Sequence, residues 1–160
     1  MNEQKKPQLD GTDASILSAL LEHPRTSVLG LAEKLGLARS TVQIRLARLE
    51  RLGLLSLEGA GSVANLAGYS VLAFMTVEVR QRDVEALRVA LAEIPEVIEA
   101  YGITGVGDIL CRVVARDNED LGRVNALVLG CPGAQRARTS VVVRPVLNFR
   151  VGPLLKEIPR

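Results

Sequence analysis

Four arginines, Arg39, Arg45, Arg48 and Arg51, crowd one short run, RSTVQIRLARLERLG, where residues 39 to 53 hold a single acid, Glu50. A guanidinium stays charged at physiological pH. Its planar fork of donors suits phosphate oxygens and the edge of a guanine. A second candidate is Ile103-Thr104-Gly105-Val106-Gly107-Asp108, two glycines and a carboxylate between apolar runs. Such a loop can cradle a phosphate, turn a hairpin, or let a ligand approach the backbone. Other chemistry is poorly supplied. The chain has one histidine, His23, and two cysteines, Cys111 and Cys131, without CxxC spacing. A Cys/His zinc site is therefore not expected, nor is a Ser/His/Asp set. Cys111 alternates within an expected strand and reads as a small hydrophobe. No metal and no cofactor is expected.

Composition bounds the rest. The chain has 160 residues, 48% of them apolar, and a net charge of +2. That is enough for one domain or two small ones with a real core. Two Phe, two Tyr and no Trp argue against the aromatic platforms of single-strand nucleic-acid binders. The start, MNEQKKPQLDGTD, is polar, and no stretch approaches the roughly 18 apolar residues of a membrane span. A soluble cytoplasmic protein with reduced thiols is the expectation.

The arginine run needs helices to position it. Asp10, Thr12 or Asp13 can cap a first helix carrying Ile16, Leu17, Leu20 and Leu21, which His23-Pro24-Arg25 ends. Ser27 can cap a second, with Val28, Leu31, Ala32 and Leu35 on one face. Gly36 suits the left-handed position after its last turn. A tight link leads to a third helix that buries Val42, Leu46 and Leu49. Its outward stripe carries Ser40, Ile44, Ala47, Arg48 and Arg51, flanked by Arg39 and Arg45. Two short helices, a glycine turn and a basic third helix read as a helix-turn-helix, whose second helix enters the major groove. Ser40, Thr41 and Gln43 then suit base edges, and Arg39 a guanine or a phosphate. Ile44 suits a thymine methyl. Arg45, Arg48 and Arg51 are expected at phosphates. A solvated basic face on a three-helix bundle is the bland alternative.

Residues 58–70, small and glycine-rich, read as a hinge; Leu54, Leu55 and Leu57 before them suit a short strand. From Val71 the period changes to alternation. Strands are expected at 71–80, 97–104, 108–116 and 139–146. Asp83 and Asn118 can cap the helices between them, with Val84, Leu87, Leu91 and Ile94 on one and Leu121, Val124 and Val128 on the other. The order β-α-β-β-α-β is ferredoxin-like, with ITGVGD as the hairpin between the middle strands. A strand follows that loop, not a helix, so a phosphate loop is disfavoured. Apolar residues on both sides of some strands call for a partner, and a homodimer packed through this half is expected. The expected class is α+β: a winged/helix-turn-helix domain over 1–57, a hinge over 58–70, a ferredoxin-like domain over 71–147 and a tail over 148–160.

This chain resembles the Lrp/AsnC transcription regulators. The resemblance rests on Leu9-Asp10 with Asp13, Ile16-Leu17, Leu31-Ala32, Leu35-Gly36-Leu37, Ser40-Thr41-Val42, Arg45-Leu46 and Arg48-Leu49-Glu50, then on ITGVGDILCRVVARD and RTSVVV. It implies dimers, and often octamers of four dimers, that bind double-stranded promoter DNA. It also implies an effector, an amino acid or related small molecule, at the C-terminal domain. The family's hairpin glycine and acid fall on Gly105 and Asp108, so Thr104, Gly105, Val106, Gly107 and Asp108 become effector candidates. Its fourth-strand hydroxyl positions fall on Thr139 and Ser140. Two departures stand out: Ala38 replaces the usual Ser cap, and Val106 stands where many relatives carry Asp.

Two alternatives remain open. Siroheme decarboxylases share the two-part architecture but carry a histidine motif in the region corresponding to Tyr101-Gly102-Ile103-Thr104, which here has none. A sensing or assembly protein without DNA binding is the other; the arginine run weighs against it.

Overall fold

A computed structural model describes residues 8–55 and 60–157. The chain divides into two compact units, one built mainly from the residues up to 67, the other spanning Gly68–Leu147.

In the first unit, α1 (Gly11–Glu22) starts at Asp10. The Asp10 side chain accepts from the Asp13 N–H at 2.9 Å, and Asp13 accepts from the Asp10 N–H at 3.2 Å, a reciprocal capping box. Helix α2 (Val28–Leu35) is capped by Ser27, which accepts from the Gly30 N–H at 3.1 Å. It ends at Gly36 in the left-handed region, φ 64°, a conformation that costs any residue with a Cβ. Helix α3 (Arg39–Arg51) begins after Ala38 with no side-chain cap. Ile16, Leu17, Leu49 and Leu54 form one cluster and Ala19, Leu31, Ala32 and Val42 another. Leu20, Leu35, Leu37 and Leu46 touch both.

Two expectations in this region change. No strand occurs in the first unit among the described residues, so no wing is present there; Leu54 and Leu55 lie in a turn, and Leu57 lies outside the described residues. Residues read as hinge form α4 (Ala60–Leu66). Val63 and Leu66 pack on the first cluster, and the Leu66 carbonyl accepts from the Leu9 N–H at 3.2 Å. Two apolar residues in a segment of small ones sufficed to dock it.

The second unit is a four-stranded antiparallel sheet in the order β2-β3-β1-β4. Its strands are β1 (Val71–Val79), β2 (Val97–Gly102), β3 (Ile109–Ala115) and β4 (Ala134–Val141). Helix α5 (Val84–Ala92) follows a single 3-10 turn at Gln81–Asp83, and α6 (Asn118–Leu129) links β3 to β4. Ala73, Met75, Val77 and Val79 of β1 and Cys111, Val113 and Ala115 of β3 pack against Leu87, Leu91, Ile94, Leu121, Val124 and Val128. The period-2 and period-3.6 faces thus meet in one core.

The fourth strand runs five residues earlier than the sequence pattern suggests. Pro145 lacks the N–H a ladder needs and restricts Arg144 before it. The true strand, AQRARTSV, is largely exposed and so lacks clear alternation. The cap of α6 is Asp117, accepting from the Asp120 N–H at 2.8 Å, and not Asn118. Asp83 sits at the N-cap position of α5 without a capping hydrogen bond; its carboxylate meets Arg80 Nε at 2.7 Å instead. Within the expected tail, Gly152–Lys156 forms a short helix, α7, with Leu154 and Leu155 exposed.

The sheet face away from the helices is partly exposed: Val114 is buried, and Leu72, Thr76, Leu110 and Arg112 are half-buried. Register places Leu72, Phe74 and Thr76 beside Val114, Arg112 and Leu110 of β3, and Phe74 and Thr76 beside Ser140 and Arg138 of β4. Phe74, on a central strand, is 39% exposed, and the buried Arg112 Nε has no hydrogen-bond partner.

Candidate nucleic-acid interface and hairpin site

Helix α3 sorts its side chains by angle. Val42 and Leu49 are fully buried. Arg39, Ser40, Gln43, Ile44, Ala47 and Arg51 are exposed and Thr41 half-buried. Ile44 is 68% exposed, an apolar side chain facing outward among polar ones. Arg51 Nε donates to the Ala47 carbonyl at 3.3 Å, leaving the guanidinium at the surface. This stripe can present a fork, a hydroxyl, an amide and a methyl-bearing chain to base edges.

Arg45 and Arg48 do not join it. Both are half-buried, with side chains 30% exposed. Arg45 Nη1 donates to Asp10 Oδ2 and, at 3.2 Å, to Asp13 Oδ1. Arg48 Nη1 donates to Asp13 Oδ2, and its Nη2 to the Gln8 carbonyl at 2.8 Å. Asp13 itself is 0% exposed. A hydrogen bond from the Asp13 N–H, then the Arg45 guanidinium, hold the Asp10 carboxyl below its usual range. The sequence marks these acids only as caps. Pairs at i, i+3 in both partners, 10/13 and 45/48, were the available signal, but a single sequence does not say which pairs meet.

The hairpin between β2 and β3 is built from its glycines. Gly105 and Gly107 have φ of 103° and 88°. A Cβ on Gly107 would lie 2.2 Å from Thr76 Cγ2, whereas one on Gly105 would meet open space. Val106 at the tip is 69% exposed, and Thr104 is exposed beside it. The Asp108 carboxylate accepts from the Val79 N–H at 2.8 Å, so it ties the loop to β1. Thr139 and Ser140 face opposite sides of the sheet. Thr139 pairs with Met75 of the core face, and its hydroxyl donates to Asn125 Oδ1 of α6 at 3.3 Å. Ser140 pairs with Phe74 of the open face. Within one chain, then, these two hydroxyls do not converge on a single point with Asp108. Among the described residues no cluster of three or more His, Cys, Asp or Glu could hold a metal ion. No described helix is long and apolar enough to cross a membrane. His23 is exposed after α1, and both cysteines are buried free thiols.

A helix-turn-helix with a patterned exposed helix, joined to a separate four-stranded α+β unit, defines a two-part DNA-binding regulator. Comparison with known proteins agrees. Residues 9–50 match the AsnC-type helix-turn-helix domain, and residues 72–151 the Lrp/AsnC ligand binding domain. A Pyrococcus abyssi HTH-type transcriptional regulator is 34% identical over 119 residues, 74% of this chain and 75% of the relative. HTH-type transcriptional regulator FL11 of Pyrococcus horikoshii is 28% identical over 136 residues, 85% and 90% of the two chains. Among solved structures, E. coli AsnC aligns with a TM-score of 0.54 at 24% identity over 91% of this chain and 99% of that one. A transcriptional regulator from Neisseria meningitidis, solved as a complex with L-Met, aligns with a TM-score of 0.53 at 26% identity over 92% and 99%. The chain belongs to the Lrp/AsnC family of transcriptional regulators, with an N-terminal helix-turn-helix and a C-terminal ligand-binding domain.

Proposed function

We propose that this protein is a homodimeric, cytoplasmic regulator that reads promoter DNA with α3 and responds to an amino acid or related small molecule at the 103–108 hairpin. The observation that carries the DNA half is the exposed stripe Arg39, Ser40, Gln43, Ile44 and Arg51 on a helix whose other face is fully packed. Thr41, half-buried beside Ser40, belongs to the same first turn. A dimer places two such helices on successive major-groove faces, so the operator is roughly palindromic. Phe74, 39% exposed on the sheet face away from the helices, favours a second copy as its cover. Assembly of dimers into an octamer is the expected larger form.

For the effector, the support is the open space at Gly105 beside the exposed Val106. The Neisseria relative's complex with L-Met supports the class of ligand. Thr139 and Ser140, on opposite faces, serve one site only if a neighbouring chain completes it. In this reading the protein turns over no substrate; decarboxylation of an added tetrapyrrole would overturn that.

The test is selection of duplexes from a random library, followed by anisotropy titrations with the selected and a scrambled duplex. Gln43→Ala and Ile44→Ala should each relax the preference at one position per half-site. No enrichment by the wild type would refute the DNA reading. A thermal-shift screen of amino acids with parallel light scattering tests the effector, and Gly105→Val should abolish any shift while sparing dimeric DNA binding.

A further inference from the structure

We propose that Asp13 is a positioning residue for DNA reading, and that Arg45 and Arg48, which it holds, set the roll of α3 instead of binding phosphate. The inference rests on the proposed DNA contact by α3 and assigns roles within it.

A carboxylate taken fully out of water must be compensated. Asp13 is compensated by three donors: the Asp10 N–H, Arg45 Nη1 and Arg48 Nη1. Each arginine has a second anchor, Arg45 on Asp10 and Arg48 on the Gln8 carbonyl. Two acids and two arginines leave the cluster without net charge. Of the four arginines on α3, only Arg39 and Arg51 then offer their charge to an approaching duplex.

The helical angles agree for Arg45. At 100° per residue, Ser40, Ile44, Ala47 and Arg51 share an arc of about 60°; Arg45 lies roughly 100° beyond its nearer edge, Arg48 only about 40°, so it is the bond to Asp13 and not the angle that takes Arg48 out of the stripe. Arg45 is nearer the buried face than the exposed stripe. Moving either guanidinium to a phosphate would strip partners from a buried acid, the costly way to break such a group.

The cluster has a role that apolar packing does not fill. Val42 and Leu49 seat the helix, but burial of apolar area is non-directional. Two arginines one turn apart, converging on one carboxylate of α1, are directional. They fix which residues of α3 face the groove. Ionic groups in a packed site are weak evidence for net stability.

The experiment uses the full chain and measures anisotropy against the selected duplex and its scrambled version across a salt series. Arg39→Gln and Arg51→Gln should each reduce the slope of log K against log salt by about 0.9 per protomer. Arg45→Gln and Arg48→Gln should keep the wild-type slope while the selected-over-scrambled ratio falls about tenfold, the loss of one good base contact. Asp13→Asn should lower the ratio similarly without reducing the slope, with circular dichroism reporting whether it folds. If Asp13→Asn does not fold, the two arginine variants decide alone. A slope lowered by Arg45→Gln or Arg48→Gln as much as by Arg39→Gln overturns the inference, as does an unchanged ratio in folded variants. Absence of any wild-type DNA binding overturns the regulator reading itself, and this inference with it.

Discussion

Gly107→Ala should destabilise the protein by about 1.5–3.5 kcal/mol, and the structure says why. Gly107 sits at φ 88°, where a residue with a Cβ pays roughly 1–2 kcal/mol. The added carbon would also fall 2.2 Å from Thr76 Cγ2. Thr76 can yield by leaving its preferred rotamer, at about 0.5–1.5 kcal/mol. Gly105 is the internal control: its φ is 103°, but nothing lies within 4 Å of its added Cβ. Gly105→Ala should therefore cost only the backbone part, roughly 1–2 kcal/mol. Thr76→Ser removes the clashing methyl, so in that background Gly107→Ala should fall to the cost of Gly105→Ala. Urea unfolding at fixed protein concentration, followed by circular dichroism, measures the four variants and the wild type; the concentration is held because association shifts apparent stability. Equal costs for Gly107→Ala and Gly105→Ala, or no coupling to Thr76→Ser, would refute the close approach as the reason for glycine at 107.

Ala38→Ser should add the missing cap of α3 and raise stability by about 1 kcal/mol, and Ser27→Ala should lose a similar amount at α2; unfolding midpoints that move together refute this. Asp108→Asn should weaken the bond to the Val79 N–H and lower stability by about 1–2 kcal/mol, read in the same unfolding assay. The Asp10 carboxyl titrates below its ordinary value because the Asp13 N–H and then Arg45 favour its anion. Its stabilisation is present above the unfolded pKa and lost as pH falls below about 4. Asp10→Asn should therefore flatten the acid limb of stability against pH, and an unchanged limb would contradict the assignment. Burial, with Cys131 nearby, pushes the Cys111 thiol up to about 11. A thiol reagent at pH 8 should label it only on unfolding, and rapid labelling of the native chain would argue otherwise.

Much of this was legible in the sequence because it rests on local rules. Ser27 and Gly36 are read correctly as cap and left-handed stop, since both act on their own helix. The core faces of α5 and α6 follow from period alone: Leu87, Leu91, Leu121, Val124 and Val128 are all buried. The misses are of another kind. Helix α4 is short and small-residued, and two side chains docking on a distant cluster make it a helix. Strand β4 is specified by pairing with β1, not by its own alternation. Arg48 has the same local pattern as Arg51 and differs only because Asp13, 35 positions away, is buried beneath it. What a side chain does was readable where its partner lay within a turn, and unreadable where the partner was brought by the fold.

The bonds of the hairpin set what an effector would have to do if it binds there, as proposed above. Asp108 supplies three bonds at one corner of the sheet. Its N–H donates to the Val77 carbonyl at 3.0 Å, its carbonyl accepts from the Ile103 N–H at 2.9 Å, and its carboxylate takes the Val79 N–H at 2.8 Å. One residue further, the Arg80 N–H donates to the Gly133 carbonyl at 3.2 Å, tying the same end of β1 to the turn before β4. A ligand amino group that captured the Asp108 carboxylate would compete directly with Val79. It would have to return what that charged hydrogen bond contributes, about 1.5–3 kcal/mol, before shifting any equilibrium. A ligand can bias two states only by its differential affinity for them. With Val106 supplying no second carboxylate, the cheaper arrangement leaves Asp108 on β1. If the effector binds at this hairpin, as proposed above, Asp108 then fixes the shape of the loop and does not itself contact the ligand.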